Sequence, residues 1–134
     1  SLYEKLYKNS NNIKIVLDAM YGSTNEQFGT SFRSRHNDKK YRYAGKTGTS
    51  QVRRITEKDR ELDLDTSEIE YKNRDHALFV AFAPYDKPKY AISVLVEHGG
   101  SGSKAAAPLA KKLIKQTIDR DKDREIKREE LKII

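Results

Sequence analysis

Residues 76–98 read HALFVAFAPYDKPKYAISVLVEH. Two short apolar runs, HALFVAFAP and KYAISVLVEHG, are rich in β-branched and aromatic residues, and YDKP supplies a turn between them. Runs of this length and composition are strands. A connection this short makes the neighbours antiparallel. The expected strands are 76–83 and 89–97, followed by a flexible GGSGS loop.

Downstream, the segment from Lys104 is helical in character. Ala107, Leu109 or Ala110, Leu113, Ile114, Thr117 and Ile118 can cover one face. Pro108 fits only in the first turn of that helix, where its missing N–H costs nothing. The tail DRDKDREIKREELKII, about 119–134, alternates charge signs and reads as a solvated helical extension.

Upstream, residues 56–75 are a charged insert, either a long hairpin connection or a flap. Tyr41 and Tyr43 alternate with polar residues ahead of a Gly-rich stretch, and Val52 and Ile55 extend it, so a third strand is expected within 42–54. Residues 22–40 hold turn-prone clusters and read as loop. In IKIVLDAM, Ile13, Val16, Leu17 and Met20 fit the buried stripe of a short helix, with NSNN (9–12) as its break and N-cap. Ile13, Ile15 and Leu17 also alternate as in a strand. Residues 3–8, YEKLYK, can form a helical turn. The order helix, loop, three strands, helix gives an α+β fold, an antiparallel sheet with packed helices.

The 134 residues carry 27 Lys and Arg against 20 Asp and Glu, a formal net charge of +7. Residues 1–54 hold eleven basic groups against four acids, 55–75 eight acids against four, and 76–134 twelve basic groups against eight. A basic surface attracts nucleic acid, anionic membrane or acidic substrate, or is simply solvated. There is no cysteine, which excludes disulfides and thiol chemistry. No apolar stretch reaches transmembrane length, and no signal peptide is visible. His36, His76 and His98 have no metal-ligand spacing, so no metal or cofactor is expected, and His76 reads as a packed or hydrogen-bonded residue.

The stretch YAGKTGTSQV (43–52) admits different chemistries. A phosphate-binding loop ending at Gly45-Lys46-Thr47 needs a glycine at position 40, which is Lys40, and a helix after Thr47, where GTSQVRRI favours extension. The alternative is the Lys-Thr-Gly strand of penicillin-recognising serine enzymes. There the lysine sets a positive charge beside nucleophile and substrate carboxylate, threonine hydroxyls bind that carboxylate, glycine lets the backbone come close, and the next amide faces an oxyanion. KTGTS (46–50) supplies each part.

AGKTGTSQV, RDHALFVAFAPYDKPKYAISVLVEHGG and GSKAAAPLAKKLI occur in that order. Together with AMYGSTNEQFGTSF they resemble the C-terminal end of the transpeptidase domain of class B penicillin-binding proteins of the penicillin-binding protein 2 type, over about residues 13–118. The resemblance implies the C-terminal portion of the β-lactamase/transpeptidase-like fold, with 1–134 one piece of a longer domain. It implies that Lys46 is the catalytic third-motif lysine and that Thr47, Gly48 and Thr49 bind substrate, Thr49 through its hydroxyl and its oxyanion-hole amide. The implied activity is serine D,D-transpeptidation of peptidoglycan stem peptides, with β-lactams as inhibitors. The implied setting is the periplasmic face of the bacterial inner membrane, anchored outside this sequence, among cell-elongation wall-synthesis proteins.

The family's S-x-x-K nucleophile motif and S-x-N motif precede KTG by a long stretch, so both are expected outside this sequence. Ser101-Gly102-Ser103-Lys104 satisfies S-x-x-K in the wrong order, and Ser10-Asn11-Asn12 and Ser23-Thr24-Asn25 satisfy S-x-N as turn or cap residues. The residues alone leave two other functions open. One is a noncatalytic protein-interaction domain. The other is a nucleic-acid module that stacks bases on Tyr41, Tyr43, Phe79, Phe82, Tyr85 and Tyr90, although nucleic acid is not the expected partner. A homodimer that covers exposed apolar surface is a further expectation.

Overall fold

A computed structural model describes residue 5, residues 7–53 and residues 66–132. The order is helix α1 (Ser10–Asn25), strand β1 (Ala44–Ser50), strand β2 (His76–Ala83), strand β3 (Tyr90–Val96), a π-helical turn (Gly102–Ala106) and helix α2 (Ala107–Lys132). The strands form one three-stranded sheet, β1-β2-β3, antiparallel throughout. This is the α+β architecture expected. β1 is shorter than its expected range: Val52 lies beyond it, 39% exposed, and Ile55 falls outside the described residues. Of the expected helical turn over 3–8, residues 5, 7 and 8 are described and are not helical, and its other residues and the insert's 56–65 fall outside the described residues.

Alternation along β2 separates the faces of the sheet. Ala77, Phe79, Ala81 and Ala83 are buried, while Leu78, Val80 and Phe82 take the opposite face. α2 covers the buried face with Ala106 from the preceding turn and its own Ala107, Ala110, Ile114 and Ile118. These recur at helical spacing. Ala110, not Leu109, enters the core, and Leu109 and Leu113 each stay 44% exposed. Alanines on both surfaces let helix and sheet approach closely, and the Phe79 and Tyr43 rings fill the remaining depth edge to face, centroids 6.2 Å apart. Tyr43 donates to the Ser34 carbonyl at 2.6 Å, and burial raises its phenol well above the ordinary tyrosine range. Pro108 takes an early position in α2, as expected. In the π turn before it, the Ala107 N–H reaches back to the Gly102 carbonyl.

α1 opens on Asn9, whose side chain accepts from Asn11 N–H at 2.9 Å. The helix reading of 13–20 holds, but α1 runs further, so Gly22–Asn25 is helix rather than loop. Its stripe is not buried: Ile13 and Leu17 are each 37% exposed and Val16 53%. The reason is placement. The last turn of α1 meets the sheet along the polar edge of β1. The earlier turns share an open groove of about 500 Å³ with Phe82, Tyr85 and Pro88.

Candidate active site

β1 is an edge strand, with β2 on one side. In an antiparallel ladder, alternate residues aim N–H and C=O at the partner, and the others aim outward. Gly45 N–H donates to Thr24 Oγ1 at 3.1 Å, and Thr24 Oγ1 lies 3.3 Å from the Gly45 carbonyl. Asn25 Nδ2 donates to the Tyr43 carbonyl at 2.9 Å. The outward register is therefore 43, 45, 47 and 49. The last turn of α1 takes the place of a further strand at Tyr43 and Gly45, using side chains.

The buried inner bonds continue to Ser31, whose hydroxyl lies 3.3 Å from Thr24 Oγ1 and donates to the Ser23 carbonyl at 3.0 Å. An outer line runs parallel to it. Ser23 Oγ is 3.2 Å from Thr30 Oγ1, and Thr30 Oγ1 is 3.3 Å from Thr47 Oγ1. Lys46 Nζ donates to Thr47 Oγ1 at 3.3 Å and to the Thr47 carbonyl at 2.9 Å. The exposed ammonium thus curls over the outer edge instead of extending into water. Beside it opens a recess of about 390 Å³ lined by Asp18, Ser23, Glu26, Phe28, Thr30 and Lys46.

All four residues expected at the site lie on β1. Thr49 is exposed, and its N–H points outward by the same register as Gly45. Glycines allow close approach from behind. A Cβ on Gly45 would sit 2.4 Å from the Phe79 ring, and one on Gly102 would sit 2.6 Å from the Gly48 carbonyl. The core aromatic and the π turn therefore press directly on the backbone that carries the lysine and threonines. What the sequence did not assign is the support for this strand: Ser23, Thr24, Asn25, Thr30 and Ser31. Their signal was two hydroxyl doublets, each behind a glycine, in GST (22–24) and GTS (29–31).

The other singled-out residues serve structure. His76 Nδ1 accepts the His98 N–H at 2.9 Å, and His98 Nδ1 donates to the Arg74 carbonyl at 2.9 Å, since a carbonyl only accepts. His98 takes a positive φ of 53° as the chain leaves β3. His36 Nε2 bonds the Lys111 carbonyl at 3.1 Å, and burial lowers its pKa. Among the described residues no cluster could hold a metal ion. Ser101 Oγ lies 3.0 Å from Ser103 Oγ. The six aromatic residues do not lie together on one surface: Tyr43 and Phe79 are buried, Tyr41 donates to Asp119 at 2.6 Å, and Tyr85 packs between Tyr21 and Phe82 with centroids 4.4 and 6.0 Å away.

This geometry has relatives. The family model "Penicillin binding protein transpeptidase domain" matches residues 3–115. The chain is 42% identical over 95 residues to peptidoglycan D,D-transpeptidase MrdA of Haemophilus influenzae, covering 71% of this chain and 14% of that protein. It is 38% identical over 109 residues to MrdA of Salmonella typhimurium strain LT2, covering 81% of this chain and 17% of that one. The PBP2 of Helicobacter pylori, solved in complex with MreC, superposes with a TM-score of 0.67 at 36% identity, over 84% of this chain and 18% of that one. The PBP2 of Pseudomonas aeruginosa, solved in complex with WCK 5153, gives 0.62 at 32% identity, over 84% and 21%. The chain thus spans less than a fifth of the length of the MrdA proteins. Over that span, the edge strand with its Lys-Thr-Gly run belongs to a chain of the penicillin-binding protein transpeptidase family.

Proposed function

We propose that this chain supplies the substrate-binding strand of a peptidoglycan D,D-transpeptidase. The observation that carries the reading is the placement of Lys46, Thr47 and Thr49 on an edge strand whose outer register is closed by α1 at Tyr43 and Gly45. The stem-peptide donor ends in a carboxylate. The Lys46 ammonium and the hydroxyls of Thr47 and Thr49 are the groups that would bind it. The outward Thr49 N–H would receive the oxyanion formed when a serine oxygen attacks the penultimate D-Ala carbonyl carbon.

That serine and its activating lysine belong to polypeptide outside this sequence. Collapse of the tetrahedral intermediate expels the terminal D-Ala and leaves an acyl-enzyme ester. An amine from a neighbouring stem peptide then attacks the ester and restores the serine hydroxyl. A β-lactam offers the same carboxylate and an amide whose opened ring does not leave, so the ester persists.

The likeness to MrdA proteins supports a role in wall synthesis, and the Helicobacter pylori complex with MreC supports an elongation partner. The same likeness motivates placement on the periplasmic face of the inner membrane. Among the described residues no helix is long and apolar enough to cross a membrane, so this reading puts the anchor in other polypeptide.

The test is acylation by a fluorescent penicillin in the full-length protein. Lys46→Ala should slow acylation about 10- to 100-fold, the scale of losing one charge-assisted hydrogen bond to the substrate carboxylate. Lys72→Ala, on an exposed ion pair with Glu70, should not slow it. Equal rates in the two variants would remove Lys46 from the site. Intact-mass analysis of the 134-residue chain should show no serine adduct. A stoichiometric adduct on Ser101 would overturn the assignment of the nucleophile.

A further inference from the structure

The two hydroxyl lines behind β1 differ in what they serve. The Thr24–Ser31 line is buried and satisfies backbone groups of β1 and α1. The Ser23–Thr30 line is exposed and ends on a side chain, Thr47 Oγ1. Among the described residues its hydroxyls bond to one another and not to a buried backbone group. Its far end lies at the residue assigned to the substrate carboxylate.

The chemistry of hydroxyls gives this line a polarity. A hydroxyl has one proton and two acceptor sites. The Lys46 ammonium only donates, so Thr47 Oγ1 accepts from it. If Thr47 spent its own proton on Thr30, it would have none for a ligand oxygen. If Thr30 donates into Thr47, both acceptor sites of Thr47 are filled and its proton is left for the ligand. Ser23 supplies the donor that completes this direction, at 3.2 Å from Thr30.

The geometry points to Thr30, backed by Ser23, as a positioning residue that aims the Thr47 hydroxyl proton at the carboxylate of the incoming acyl donor. This rests on the reading of Lys46, Thr47 and Thr49 as the carboxylate site. It adds a specificity element that no Lys-Thr-Gly triplet contains, carried by the loop after α1.

The test uses the full-length protein with a fluorescent penicillin as the free acid and as its carboxylate methyl ester, at saturating and subsaturating concentrations. Thr30→Val keeps the shape and removes the hydroxyl. Acylation efficiency on the free acid should fall about 2- to 10-fold, the scale of one hydrogen bond, with the loss in initial binding. The loss should shrink on the ester, which lacks the charge to be bound. Thr30→Ser should restore the free-acid rate, and Ser23→Ala should give the same pattern in weaker form. Equal losses on acid and ester would mean a structural role and overturn the inference. So would an unchanged rate in Thr30→Val while Lys46→Ala is impaired. An unimpaired Lys46→Ala variant would instead sink the reading of the site, and this inference with it. If Thr30→Val does not fold, the acid-to-ester ratio in Ser23→Ala decides the matter alone.

Discussion

Helix α2 lies on the sheet through alanines and isoleucines, whereas α1 is tied to it through serine, threonine and asparagine. The first attachment is broad and apolar: Ala106, Ala107, Ala110, Ile114 and Ile118 against Ala77, Phe79, Ala81 and Ala83. The second is narrow and polar: Thr24 on Gly45, Asn25 on Tyr43. Burial is non-directional and roughly proportional to area. Hydrogen bonds add less net stability but fix geometry closely. The strand that must present a lysine and two hydroxyls in register is therefore held from behind by packing and along its edge by directed bonds.

Removing the packed side should cost most. Phe79→Ala empties a fully buried ring site against Tyr43 and Gly45. It should destabilise the chain by about 3–5 kcal/mol, read as a lower urea midpoint at unchanged slope. A loss below about 1 kcal/mol would mean that the site collapses freely and that apolar packing is not what holds this face.

Next comes the polar edge. Thr24→Val keeps the shape of a fully buried side chain but leaves Gly45 N–H without its acceptor. The expected cost is about 1–3 kcal/mol, the penalty of an unsatisfied buried group. A neutral result would show that water or Ser31 replaces the hydroxyl and that α1 is not latched there.

The apolar attachment was largely legible in the sequence, and the polar one was not. Strand runs around 76–83 and 89–97 and the 3.6-residue pattern after Lys104 are local signals. Even so, the sequence left open whether Leu109 or Ala110 enters the core. Alternation also does not say which parity of a strand meets the helix. β2 buries its small residues and Phe79, leaving Val80 46% exposed, and Leu95 of β3, which pairs with Leu78, is 57% exposed. The Lys-Thr-Gly run was legible as a motif. Its edge position and its hydroxyl supports were not, because Thr24 and Gly45 are 21 residues apart. Such bonds leave no periodicity. Ser23-Thr24-Asn25 matched S-x-N on paper, and in the fold it anchors β1 instead.

A smaller, pH-dependent effect probes the seam between α2 and the turn that leads into β1. Asp119 accepts from Lys115 at 2.7 Å, Lys40 at 2.8 Å and the Tyr41 hydroxyl at 2.6 Å. The Lys115, Lys40 and Tyr41 bonds together hold its carboxyl well below the ordinary range. A depressed folded pKa gives stability that is present above the unfolded value, about 4, and lost as pH falls below it. Asp119→Asn should therefore reduce stability at neutral pH and flatten the acid limb of the stability profile. Asp121, also lowered by its bond from Tyr90, retains part of that limb. The ion pairs are exposed and screened, so added salt should shrink the difference. An unchanged acid limb in Asp119→Asn would place the acid sensitivity elsewhere.

The smallest effect is expected on the exposed apolar stripe of α1. Val16, in the stripe, is 53% exposed on α1, on the part of the helix away from the Thr24 latch. Valine and serine have similar helix propensities, so Val16→Ser changes little within the helix itself. Exposed substitutions of this kind shift stability by no more than about 0.5 kcal/mol. A loss above about 1 kcal/mol would mean that something covers the stripe, the scale of burying an apolar side chain being about 1.5–3 kcal/mol. The covering surface proposed from the exposed stripe is a second copy of the chain, and concentration separates the cases. If copies pair through α1, the Val16→Ser loss should grow with protein concentration, and sedimentation should show the variant dissociating first. If the loss stays small at every concentration and the chain sediments as a monomer, no second copy covers the stripe. The contrast between a helix held by burial and a helix held by hydroxyls then stands for the single chain.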